Sequence, residues 1–118
     1  MRDDRLRLLD ILGAAESIQN FTQRKTRDDL AGDPLLLSAV LHQLYVIGEA
    51  AAHVSSDIKD RHPGIPWKAI YGFRNFIAHE YFSLDVDIVW QTIAQDVPDL
   101  KSRMDQILRA EFPESSNP

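Results

Sequence analysis

The 118-residue chain contains no cysteine. Disulfides and thiolate metal sites are thereby excluded, and the composition fits a reducing compartment. No apolar run approaches the roughly 18 residues that a membrane span needs, and Met1-Arg2-Asp3-Asp4-Arg5 carries acids where a secretion signal would be apolar. The expected address is the cytoplasm, with no membrane partner. Glycine (5) and proline (6) are too sparse for a low-complexity chain. Positive charge is also in short supply: 13 Lys and Arg stand against 18 Asp and Glu, a net charge of -5. A broad basic face for nucleic acid is therefore excluded, and any such contact must be local. The densest basic stretch, Arg24, Lys25 and Arg27, reads as a solvated helix end.

No strand alternation and no internal repeat is present; what the chain has instead is helical periodicity. Asp3 or Asp4 is placed to cap a first helix running to about Phe21, because Leu8, Ile11, Leu12, Ala15, Ile18 and Phe21 recur at three- and four-residue steps. Residues 22–32 read as a loop with at most a short helical turn near Arg27 to Leu30. Asp33-Pro34 starts a second long helix, expected to reach Ser55. Its apolar residues cover more than one stripe, which predicts a central helix that also faces a second subunit. His62-Pro63-Gly64-Ile65-Pro66 sets a turn, and Trp67 opens a third helix to about Tyr81. Asp85 is placed to cap a fourth, from Val86 to about Gln95, and Pro98 predicts a break or kink before a fifth, from Asp99 to Arg109. The reading is an all-α, up-and-down bundle of four to five helices: one domain over residues 1–110 and a flexible tail over 111–118. Trp67 and Trp90 read as core or interface anchors.

The most unusual stretch is Tyr71-Gly72-Phe73-Arg74-Asn75-Phe76-Ile77-Ala78-His79-Glu80-Tyr81, which sets polar groups capable of catalysis among aromatics. At about 100° per residue, Arg74 and Tyr81 lie only ~20° apart on a helix, and Asn75 neighbours His79. Arg74 and His79 differ by ~140°, so they converge only through the long arginine side chain, a bend, or a second copy across a dimer axis. Periodicity alone also allows a structural role, in which His79 and Tyr81 pad a helix end and Arg74 pairs with an acid such as Glu49. Glu49 either orients Arg74 or supports a dimer. His42, His53 and His62 are too dispersed for metal ligands and read as structural or surface groups.

Arg74-Asn75-x-x-x-His79-x-Tyr81 resembles the Arg-x4-His-x-Tyr motif of the HEPN superfamily, specifically its HepT-like toxins. Ile47-Gly48-Glu49-Ala50, Ile65-Pro66-Trp67, Val89-Trp90 and Pro98-x-Leu100-Lys101 also resemble that family's sequence in the same order, so the similarity spans about Asp4 to Leu108. The chain departs from the pattern at His42, where many relatives carry a basic residue. The resemblance implies a HEPN-like bundle with a metal-independent ribonuclease site in a homodimer cleft, and catalytic Arg74, Asn75 and His79. His79 would exchange the ribose 2′-hydroxyl proton near neutral pH, and Arg74 would hold charge on the pentavalent phosphorus. Asn75 would orient His79 or a phosphate oxygen.

The resemblance further implies a type VII toxin–antitoxin system. A nucleotidyltransferase antitoxin, using ATP as donor, would adenylylate Tyr81 and make the chain a phosphoprotein; the toxin itself needs no cofactor. The alternative reading is a non-catalytic helical subunit that binds a nucleotide or partner within a nucleotidyltransferase complex.

Overall fold

The computed structural model describes residues 3–80 and 85–113, with the side chains of residues 75–80 outside the described set. Seven α-helices are present among the described residues, and no strand: α1 (Asp4–Thr22), α2 (Arg27–Gly32), α3 (Pro34–Ala52), α4 (Ser56–Arg61), α5 (Trp67–Glu80), α6 (Val86–Gln91) and α7 (Val97–Glu111). The all-α expectation holds. Four long helices form the bundle, and three short ones turn its corners.

Each start has a local cause. Asp3 accepts from Leu6 N–H at 2.9 Å and caps α1. Asp4 instead reaches across the fold, accepting from Ser55 N–H and Oγ at 2.9 and 2.6 Å. The polar stretch after α1 folds further than expected, because Thr26 and Asp29 form a reciprocal capping box that starts α2. Asp33 caps α3 through Leu35 and Leu36 N–H, with Pro34 in its first turn. Ser55 caps α4, a helix the sequence reading passed over because its six residues are too few for a periodic pattern. The same cap explains why α3 ends at Ala52, short of the expected Ser55.

Asp4 beside Ser55 puts the start of α1 against the end of α3, so the two run antiparallel. At that same end Trp67 opens α5, its indole N–H donating to His62 O at 3.0 Å. There too Glu111, at the end of α7, takes Arg61 and His62 at 2.8 and 2.9 Å. At the opposite end Arg27 of α2 pairs with Asp87 of α6. The long helices therefore alternate in direction, as an up-and-down bundle requires. Leu8, Ile11, Ala15 and Ile18 of α1, Val40, Leu44 and Ile47 of α3, and Met104 and Ile107 of α7 form the buried core.

Three expectations need correcting. The helix does not break at Pro98: backbone from Val86 to Glu111 stays helical through a π turn at Thr92–Asp96, where Val97 N–H donates to Thr92 O. Proline lacks a donor and crowds the carbonyl four residues back, and the extra residue of a π turn relieves both. Residues 111–113 are not part of a frayed tail, since Glu111 is helical and ion-paired and Phe112 packs on the core; residues 114–118 lie outside the described residues. Finally, α3 is long and apolar enough to cross a membrane. It is the central helix here, packed between α1 and α5.

Candidate active site

The site is built where α5 crosses α3. A Cβ placed on Gly48 would lie 2.8 Å from Arg74 N, 2.9 Å from Arg74 Cβ and 3.2 Å from Ile70 O. The two backbones meet at this turn only because residue 48 has no side chain. The close approach fixes Arg74 against the next residue of α3, Glu49.

Arg74 Nη1 donates to Glu49 Oε2 at 2.9 Å, and Nη2 to the Tyr71 hydroxyl at 3.3 Å. The guanidinium carbon sits 4.9 Å from the Tyr71 ring centroid, one helical turn back, so the head is held by a carboxylate, a phenol and an aromatic face together. The other Glu49 oxygen meets His53 Nε2 at 3.2 Å, one turn on along α3. The Arg74 hydrogen bond holds the Glu49 carboxyl below its ordinary range, against partial desolvation and with help from His53. Glu49 in turn raises Arg74 above its usual value. At neutral pH the pair is therefore ionised on both sides. Arg74 is 29% exposed and Glu49 37%, which leaves the guanidinium edge within reach of a ligand.

This network forms one wall of an open basin of about 500 Å³, lined also by Lys59, Trp67 and Lys68. Lys59 Nζ stands 5.9 Å from the Trp67 ring centroid. Among the described residues the basin lining carries three cations, Lys59, Lys68 and Arg74, and no carboxylate; Glu49 meets it only through its pairing with Arg74. An acidic chain thus carries a local positive patch at this basin. A second cleft, of about 230 Å³ between α3, α5 and α7, is lined mainly by Leu44, Ile47, Ile70, Phe73, Val97 and Leu100. Asp96, Asp99 and Arg103 line it as well, and Arg103 donates to Asp99 at 2.9 Å.

Of the residues expected at the site, Arg74 and Glu49 are brought together. Asn75 and His79 lie on α5 beyond Arg74, but their side chains are outside the described residues, and Tyr81 lies outside them altogether. His62 serves the fold, bonded to Glu111 and giving its carbonyl to Trp67. Both tryptophans pack against the core, as expected of anchors. His42 is exposed. No cluster of three or more His, Asp or Glu with a metal site's arrangement occurs among the described residues.

His53 is different: sequence reading set it aside, yet it shares Glu49 with Arg74. Its four-residue offset from Glu49 was the available signal. Tyr71, Lys59 and Lys68 were missed as well. For Tyr71 the clue was its place one turn before Arg74, whereas Lys59 comes from another helix and gave no local sign.

A family model, ribonuclease HepT-like, matches residues 11–107. The chain is 36% identical over 100 residues to a protein of Thermococcus cleftensis provisionally named ribonuclease HepT, which covers 85% of this chain and 91% of the relative. It is 32% identical over 104 residues to a protein of Methanocaldococcus jannaschii provisionally named an RNase, covering 88% and 95%. A protein of Caldanaerobacter subterraneus, also provisionally named an RNase, is 32% identical over 111 residues, covering 94% and 99%. No solved structure matches the chain. The chain belongs to the ribonuclease HepT-like family. That membership places it among the ribonucleases, with RNA as the substrate class.

Proposed function

We propose that the protein is a cytoplasmic, homodimeric, metal-independent endoribonuclease, and the toxin of a type VII toxin–antitoxin pair. The observation that carries the reading is Arg74, clamped by Glu49 and Tyr71 at the wall of an open, locally positive basin. A guanidinium fixed in this way offers forked donors to a phosphate without first having to be ordered.

In the proposed reaction His79 takes the proton from a ribose 2′-hydroxyl. The oxygen attacks the adjacent phosphorus, the bond to the 5′-oxygen breaks, and that oxygen takes up a proton. The products are a 2′,3′-cyclic phosphate and a 5′-hydroxyl end. Arg74 stabilises the pentavalent charge, and Asn75 orients His79 or a phosphate oxygen. Because the nucleophile belongs to ribose, DNA is inert.

Neutralisation follows from chemistry at the motif tyrosine. A nucleotidyltransferase antitoxin passes the adenylyl group of ATP to the Tyr81 oxygen, with release of pyrophosphate. The added anionic phosphodiester then competes for the positive potential around Arg74.

The test is cleavage of single-stranded RNA by the purified protein in EDTA, with analysis of the new ends. Cyclic phosphate ends, lost in His79→Ala with the helical circular dichroism spectrum intact, are expected. Incubation with the antitoxin and ATP should add an adenylyl mass to the Tyr81 peptide and abolish cutting. The Arg74–Glu49 pairing is also what a non-catalytic partner-binding subunit would show; intact RNA in every assay alongside tight antitoxin binding would establish that alternative.

A further inference from the structure

The charge balance of the basin raises a question that the Arg74 clamp leaves open: how a chain of net charge -5 holds a polyanion at all. Arg74 cannot do so alone, since Glu49 neutralises it at 2.9 Å. The surplus positive charge on the basin wall is that of Lys59 and Lys68. Lys68 is exposed on the second residue of α5, and about 9 Å of helix axis separates it from Arg74. That distance suits neighbouring phosphates and not a single one. Lys59 comes from α4 and is half-buried, its ammonium lying over the Trp67 ring in the basin lining.

Resting on the ribonuclease reading above, we infer that Lys59 and Lys68 form a phosphate-binding subsite for single-stranded RNA, gripping the backbone beside the scissile phosphate that Arg74 receives. Tyr71, between Lys68 and Arg74 on the same helix, lines the same wall, with its ring against the Arg74 guanidinium. The two lysines are binding residues and take no part in the chemical step. They supply affinity, and hence KM, while Arg74 and the groups beyond it set kcat.

The experiment measures binding of a fluorescein-labelled, mixed-sequence oligoribonucleotide to the cleavage-dead His79→Ala protein over a salt series, together with steady-state cleavage by the active protein. Replacing Lys59 and Lys68 together by Gln should raise KM several-fold with kcat unchanged. Each single-strand phosphate contact contributes about 0.7 to the slope of log K against log salt, so the slope should become shallower by about 1.4. Lys59→Arg with Lys68→Arg should restore both values, which separates charge from any part Lys59 plays in covering Trp67. Lys68→Gln alone, at an exposed position, should by itself produce about half of that slope change, about 0.7, even if the Lys59 variant folds poorly. If wild type cuts RNA but the Gln variants keep its KM and salt slope, the subsite is wrong and the ribonuclease reading stands. If wild type neither binds nor cuts RNA, both fail together.

Discussion

Replacing Gly48 by Ala tests the geometry on which the site depends. The added methyl would lie 2.8 and 2.9 Å from Arg74 N and Cβ and 3.2 Å from Ile70 O. Two of these atoms are backbone and cannot swing aside, so α3 and α5 must separate at the turn that carries Arg74. Overpacking of this kind costs roughly 1–3 kcal/mol, and the better helix propensity of alanine returns about 1 kcal/mol, leaving a net loss of about 0–2 kcal/mol. Gly13, exposed in the middle of α1, has nothing within 4 Å of its would-be Cβ. There the same substitution should stabilise by about 0.5–1 kcal/mol.

The two variants should therefore differ by roughly 0.5–3 kcal/mol, and at about 4 °C per kcal/mol for a chain of this size, by roughly 2–12 °C in Tm. Because a displacement near 1 Å can cost ~10²-fold in rate, Gly48→Ala should also cut RNA far more slowly, while Gly13→Ala keeps the wild-type rate. Thermal unfolding followed by circular dichroism and a cleavage time course measure both. A Gly48→Ala protein that melts as high as Gly13→Ala and cuts at the wild-type rate would refute the proposed role of the helix contact.

Other expectations follow from the same contacts. Arg61 and His62 lower Glu111 from 4.5 to about 2, so its contribution to stability is fully present above the ordinary carboxylate range and is lost as pH falls toward 2. Glu111→Gln should melt below wild type at pH 7, and the gap should close on acidification through that window. Glu49→Gln should lower kcat with little change in Tm, because the Glu49–Arg74 pair is exposed enough for solvent to screen it; an unchanged rate would remove Glu49 from the site. Glu49 is itself held below its usual range, so any wild-type loss of rate from releasing Arg74 should appear only under acid conditions, in a pH–rate profile compared with this variant. Asp4→Ala removes both hydrogen bonds to Ser55 and should cost roughly 1–3 kcal/mol, read as a lower midpoint in urea.

Much of the fold was legible because its signals are local. The apolar steps of α1, the Asp33-Pro34 start of α3 and the Asp85 cap of α6 each depend on residues within a turn or two of one another. Where the reading failed, the deciding interaction was too short or too distant to leave a pattern. Helix α4 has six residues and owes its cap to Ser55, which Asp4 holds from the far end of the sequence. Glu111 looked like tail until Arg61 and His62, about fifty residues earlier, met it. Pro98 carried the right warning about a hydrogen bond, but helix packing favoured an extra residue at 92–96 over a break.

The sequence by itself determined the helical class, the family and the choice of Arg74 as the central basic group, since periodicity and motif spacing are properties of the chain. It could name Glu49 only as one possible partner for that arginine, it hinted at His53 and Tyr71 only through their one-turn offsets from Glu49 and Arg74, and it gave no sign of Lys59. The tertiary structure decided those pairings through the missing side chain at Gly48, which lets two helices touch and joins residues 25 positions apart into one hydrogen-bonded network. Charge in a basin depends on which side chains share it in space, and that is fixed by the crossing of α3 and α5 and by the corner that α4 makes between them.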